Sequence, residues 1–282
     1  MYYGMLATAA LLFAMQFLFN QMYQKSRGDG TDSAITLSLY LHAISFVIML
    51  SLNKFHLNIT WFSLLMAALY AAVVLGYSFA SLKSFKTANL SVFSIFAMLG
   101  GMLLPLAYGI LFRNEAVTPT KIICVILIAI ATAMSFEKGK KNKGNMKYYL
   151  AVFVLNGTVG VISTIHQTKP ELAVDSFSFM ATVNICVVVA CAAYHLIVNR
   201  KLPVLKPKEL GYAASYAVCN GIGNLFCLIT LTALPASVQF PITTGGTMFF
   251  STLISVIRKE KPSAKTIVAA LVAFAATVFI AF

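Results

Sequence analysis

Glu137-Lys138-Gly139-Lys140-Lys141-Asn142-Lys143-Gly144-Asn145-Met146-Lys147 is the longest polar stretch of this 282-residue chain, and it falls almost at the midpoint. Rich in Lys, Gly and Asn, it has the composition of a linker. On both sides the chain turns apolar at once. Overall 60% of the residues are hydrophobic and 10% charged, with a mean hydropathy of +0.85. A soluble domain carries about 25% charged residues, so most of this surface faces something other than water.

Outward from the linker lie ten apolar runs of the length that a spanning helix needs, about 20 residues at about 1.5 Å rise each. They cover roughly 3–22, 34–52, 61–82, 88–112, 119–136, 147–167, 176–198, 209–230, 235–257 and 265–282. Short polar breaks separate them: Ser26-Arg27-Gly28-Asp29-Gly30, Leu52-Asn53-Lys54, Arg113-Asn114-Glu115 and Arg258-Lys259-Glu260-Lys261-Pro262. The N-terminus has no basic n-region, so the first run is expected to be a retained helix and not a cleaved signal.

A shift of 146 places Tyr2-Tyr3 on Tyr148-Tyr149, Gln21 on Gln167, and Ala68-Leu69-Tyr70-Ala71 on Ala214-Ser215-Tyr216-Ala217. A shift of 145 places Gly100-Gly101 on Gly245-Gly246 and Glu115 on Glu260. The common offset predicts a duplication: a first repeat over 1–136, a basic linker over 137–146 and a second repeat over 147–282. Five spans per repeat is an odd number, so the second half enters the membrane from the opposite side. The expected fold is an all-α membrane protein of ten transmembrane helices, built as two inverted five-helix repeats. Secondary transporters use that arrangement for alternating access.

Pro235-Ala236-Ser237-Val238, Pro241, Gly245-Gly246 and Lys259-Glu260-Lys261, followed by an alanine-rich closing run, resemble the ninth and tenth helices of ten-helix EamA-like members of the drug/metabolite transporter superfamily. The first-half counterpart, 88–115, is similar but looser. The resemblance covers the whole chain in layout. It implies a multi-pass transporter of the plasma (inner) membrane, in a family whose members are similar in moving amino acids, drugs, sugars or nucleotide derivatives.

The 21 Lys and Arg against 8 acids give a net charge of +13. Scattered between apolar runs, these cations read as the basic side of a membrane protein, with a lipid bilayer and not nucleic acid as the partner. Cys124, Cys186, Cys191, Cys219 and Cys227 all lie inside runs and form no CxxC pair, as small buried hydrophobes do. No metal or cofactor set and no nucleophile elbow appears, so an enzyme is not expected. A homo-oligomer is compatible with the sequence and not specified by it.

All eight acids lie at run ends or between runs, whereas intramembrane carboxylates are the usual proton relays. The polar residues inside runs are neutral. The site expected at the midplane takes Tyr70 and Tyr216, equivalent in the repeat, with Gln16, Asn156, Asn220, Asn224 and Thr243 near them. The fifth and tenth runs, nearly pure Ala, Val, Ile and Leu, are expected outside that set. Asn220 and Asn224 share one helix face, while Gly221 and Gly223 between them fit either a ligand approach or a packing seam. The expected function is alternating-access transport of a small polar solute, an amino acid or related metabolite. A proton-coupled drug exporter and a lipid-handling membrane protein remain as alternatives. With no acid inside a run, His166 is the best protein candidate for carrying a proton.

The breaks after the first, third, fifth, seventh and ninth runs hold 17 of the 21 Lys and Arg. The positive-inside rule then puts the linker in the cytoplasm and both termini outside, whereas the family resemblance implies cytoplasmic termini. On the charge reading, a cysteine at Lys140 reacts with an impermeant maleimide only after the cells are permeabilised. A cysteine at Phe282 reacts in intact cells. Labelling of position 140 from outside would reverse the orientation.

Overall fold

The computed structural model describes residues 1–28, 30–85, 90–134, 146–259 and 262–281, with the side chains of 81–85, 90–95, 146 and 280–281 outside that description. All regular structure in it is helical. The order is α1 (Tyr2–Arg27), α2 (Thr31–Leu52), α3 (Trp61–Phe85), α4 (Leu90–Arg113), α5 (Pro119–Met134), α6 (Met146–Gln167), α7 (Ser176–Tyr194), α8 (Pro207–Leu231), α9 (Ala236–Ile257) and α10 (Ala264–Ala281). A π-helical turn, His195–Asn199, continues α7. Eight of these helices, α1–α4 and α6–α9, are long and apolar enough to cross a membrane; α5 and α10 are shorter apolar helices. This is a multi-pass membrane architecture.

Local chemistry sets the helix ends. Gly28 ends α1 with a positive φ of 92°, a conformation that glycine adopts without a Cβ penalty. Asp175 caps α7, its carboxylate accepting the Ser178 N–H at 2.9 Å. Pro207 opens α8, and the Glu209 side chain accepts the Lys206 N–H at 3.1 Å. The start of α9 is capped from far away in sequence. Glu115, just past α4, accepts the N–H groups of Ala236 at 3.0 Å and Ser237 at 2.9 Å, placing a carboxylate where the helix dipole favours one. Gly109 leaves room for it, since a Cβ there would lie 2.7 Å from the carboxylate.

The two halves of the chain are interleaved. Helix α1 lies against α8 and α9, α2 against α7 and α8, α3 against α6 and α7, and α4 against α6 and α9. Sequence neighbours such as α2 and α3, or α3 and α4, barely touch. The apolar core follows suit: one cluster joins Met49, Ala67 and Tyr70 to Phe179, Val183 and Leu225. Another joins Leu6, Met102 and Ile128 to Ile242 and Ala276. Helix α5 packs mainly on α10, and its exposed Ile122, Ile123, Ile126 and Ile130 face lipid in this reading.

Without a hydrophobic force between helices in lipid, close backbone approach carries much of the packing. A Cβ on Gly100 would lie 2.1 Å from the Phe153 carbonyl oxygen, and one on Gly157 would lie 2.5 Å from the Gly100 carbonyl oxygen. The α4 and α6 backbones therefore touch through glycine. Gly100→Ala is expected to cost roughly 3 kcal/mol through overpacking. Gly4→Ala, at a position with nothing within 4 Å, is expected to be neutral or slightly stabilising. Thermal unfolding of the two purified variants distinguishes them, and equal stabilities would refute the contact.

Candidate functional site

Gln16, Asn20 and Gln24 recur at every fourth position of α1 and share one face. The Gln24 Nε2 donates to Asn20 Oδ1 at 3.2 Å. Across the α1–α8 seam, Asn220 Nδ2 donates to Gln16 Oε1 at 2.8 Å, and Asn224 Nδ2 donates to the Asn220 carbonyl oxygen at 2.8 Å. Gln16 lies about 17 Å along the helix from the Arg27 end, and Asn220 about 20 Å from the Pro207 end, so both are near the middle of a bilayer. All five amides are half-buried. An amide open to hydrocarbon is costly, so the half-buried groups of this seam call for a polar neighbour. Among the described residues, the Gln16 Nε2 and the Asn220 and Asn224 Oδ1 atoms have no hydrogen-bond partner.

The glycines between the asparagines do a different job. A Cβ on Gly223 would lie 2.7 Å from the Phe13 ring, and one on Gly221 would lie 3.2 Å from Ser45 Oγ. They let α1 and α2 close onto α8, which is the packing-seam alternative, while the asparagines hold the open polar groups.

The other expected site residues lie apart. Tyr70 is buried in the cluster with Met49 and Leu225, edge-on to Phe179 with ring centroids 6.3 Å apart. Tyr216 is half-buried beside Tyr23, Leu37 and Ala213, in a separate cluster. Asn156 donates to the Ala97 carbonyl oxygen at 2.7 Å, holding α6 on α4. Thr243 turns back to the Gln239 carbonyl oxygen at 3.1 Å. Gln239 has both ends of its amide engaged, accepting the Thr230 hydroxyl at 2.5 Å and donating to the Cys227 carbonyl oxygen at 2.9 Å. Neither Asn20 nor Gln24 was among the expected site residues, although their four-residue spacing from Gln16 was there to be read.

His166 sits in a closed network. Its Nε2 lies 2.9 Å from Ser63 Oγ, its Nδ1 lies 3.1 Å from Gln167 Nε2, and its ring stacks on Phe179 at 3.7 Å. The Gln167 Oε1 accepts the Ser176 hydroxyl at 3.2 Å. A neutral ring with its proton on Nε2 completes every bond, the tautomer being inferred from the network. A second proton on Nδ1 would point at the Gln167 amide N–H groups. His42 likewise donates from Nδ1 to Asn184 Oδ1 at 2.6 Å, between α2 and α7.

No family model and no curated protein matches this sequence. A solved structure described only as "Crystal structure of protein" is 15% identical, with a TM-score of 0.75 over 99% of this chain and 95% of that one. At that identity the likeness is one of fold alone, and it extends over essentially the whole chain.

The basic end of the seam is closed by an ion pair between the halves. Arg27 Nη1 lies 3.1 Å from Glu209 Oε2 and donates to the Val204 carbonyl oxygen at 3.2 Å. The Glu209 side chain is only 5% exposed, so removing its partner leaves a nearly buried charge short of a donor. Arg27→Gln is expected to destabilise by on the order of 2 kcal/mol. Combined with Glu209→Gln it should cost less than the sum of the single changes. Strict additivity in thermal unfolding would show that the pair is not coupled.

Proposed function

We propose that this chain is a secondary transporter of the ten-helix EamA-like kind, acting in the plasma (inner) membrane. Ten spans would form two inverted halves around a midplane site on the α1–α8 seam. The observation that carries this reading is the Gln16–Asn220–Asn224 cluster, whose half-open amides keep unused donors and acceptors at mid-membrane depth. The short helices α5 and α10 reach about 24 and 27 Å, which a bilayer meets by modest local thinning.

Paired contacts support the inverted halves. Exchanging the halves turns the α1–α8 contact into α6–α3, α4–α6 into α9–α1, and α2–α8 into α7–α3, and all six occur. One contact repeats residue by residue: Gly101 meets Asn156, and Gly246 meets Ala10. The sequence offsets of 145 and 146 relate both partners of that contact. Two latches repeat as well. Ser63 and Glu209, 146 apart and each third in its helix, fasten α3 to Val174 after α6 and α8 to Arg27 of α1.

Amide groups without a fixed charge suit a small polar or zwitterionic solute, with amino acids or related metabolites first. Alternating access would open the Arg27–Glu209 latch on one face and the Ser63–Val174 latch on the other. The described acids Asp32, Glu115, Glu171, Asp175 and Glu209 all lie at helix ends or between helices, and the His166 network is complete with a neutral ring. Exchange without a coupled proton is therefore the favoured mode.

A thermal-shift screen of the purified protein against a metabolite library identifies the solute, because a ligand of the folded state raises its apparent stability. Counterflow of that solute in proteoliposomes is then expected to persist without a pH gradient and to survive His166→Gln. Asn220→Ala should raise the KM by about fivefold, the worth of one hydrogen bond. Counterflow that stops when the proton gradient is dissipated, with that dependence removed by His166→Gln, would replace exchange by proton coupling.

A further inference from the structure

On the basic face, the ends of α1 and α9 and the start of α8 surround a recess of about 240 Å³, lined by Met22, Lys25, Ser26, Lys208, Tyr212 and Arg258. Its three cations come from three helices. Lys25 sits in the last turn of α1, Lys208 in the first turn of α8, and Arg258 follows α9. Among the described residues no carboxylate lines this recess; Glu209 is taken by Arg27, and Asp32 lies 3.5 Å from His195 Nδ1. Lys25 and Lys208 thus have no carboxylate partner there. The neighbouring cavity of about 420 Å³ differs, because Asp32 stands in its wall beside Arg27 and Lys201.

Lys25 and Lys208, without a carboxylate partner there, repel one another across the recess, and an anion between them relieves that repulsion. A phosphate group suits the donors present. Lys and Arg make charge-assisted hydrogen bonds to its oxygens, and the Ser26 and Tyr212 hydroxyls add neutral donors. The position of the recess selects the source of that phosphate. It lies at helix ends, at the depth of lipid headgroups, where basic pockets between spanning helices take anionic headgroups. Directly before Arg258, α9 exposes Leu253, Val256 and Ile257, an apolar track along which an acyl chain can lie.

We propose that this recess is a binding site for an anionic phospholipid. Lys25, Lys208 and Arg258 hold the phosphate, and an acyl chain lies along α9. The site is separate from the solute crevice and does not depend on the transport reading.

The test uses the full-length, delipidated protein in detergent, with palmitoyl-oleoyl phosphatidylglycerol and phosphatidylcholine titrated in parallel and bound lipid counted by native mass spectrometry. Phosphatidylglycerol is expected to bind more tightly. Lys25→Gln, Lys208→Gln and Arg258→Gln should each weaken it about fivefold, and the triple variant should lose the preference. A Lys25→Arg, Lys208→Arg variant should retain it, as should a Lys54→Gln, Lys169→Gln variant of the opposite face. Glycerol 3-phosphate, a phosphate without acyl chains, should not compete at the lipid's concentration. If it competes, the site serves soluble phosphate esters and the lipid assignment falls. If the triple variant still prefers phosphatidylglycerol, the recess is not the site.

Discussion

Inside a bilayer no water is at hand to complete a hydrogen bond, and the polar groups of this chain are arranged under that constraint. Hydroxyls meet it locally by folding back one turn. Thr132 donates to the Ile128 carbonyl oxygen at 2.6 Å, Thr158 to Val154 at 2.7 Å, and Thr164 to Gly160 at 2.8 Å. Amide side chains carry more donors and acceptors than one turn can absorb, so they reach across seams. Gln239 is absorbed wholly between α8 and α9, and Asn156 ties α6 to α4. Gln16, Asn220 and Asn224 are satisfied only in part and half-buried, as are Asn20 and Gln24 on the same seam. What distinguishes the α1–α8 seam is that several such amides meet there with donors and acceptors to spare.

The helices were legible because their signal is local: an apolar length between polar breaks. Each of the ten runs became a helix, with ends displaced by a few residues for physical reasons. The first run stops near Met22 on hydropathy, yet α1 continues to Arg27, since cations suit a helix C-terminus in water. The seventh run reads as one helix, but its last turn is π-helical from His195 to Asn199, and composition does not encode that register change. Partner choice was the illegible part. Nothing near Glu115 announces that it will cap α9, 121 residues on. Tyr70 and Tyr216, matched by the sequence offset, lie in different apolar clusters, because an offset in sequence carries no information about the neighbours that packing brings. Of the expected site, the amides that met were those facing each other across one seam, a relation visible only after folding.

Two contacts whose residues Ser63 and Glu209 lie 146 apart in the chain fasten neighbouring helices by unlike chemistry. On the basic face the latch is a charge pair, Arg27 to Glu209, reinforced by the Lys206 N–H. On the other it is neutral: the Ser63 hydroxyl takes the Val174 N–H at 3.0 Å beside the aromatic stack of His166 and Phe179. A charge pair responds to ionic strength and to the potential across the membrane, and a neutral hydrogen bond responds to neither. The Arg27–Glu209 contact is therefore field-sensitive and the Ser63–Val174 contact is not.

The interleaving of the halves also has a meaning for synthesis. A ribosome adding about 5–20 residues per second needs on the order of ten seconds to make the second half. For most of that interval α1 has neither α8 nor α9 to lie against, and Gln16 is without Asn220. The first five helices are thus held in the membrane as an open set, competent to bind any complementary set that arrives. Two halves expressed as separate chains would meet the same unfilled seams, so this protein's architecture is in effect that of a heterodimer whose subunits a short basic linker happens to join.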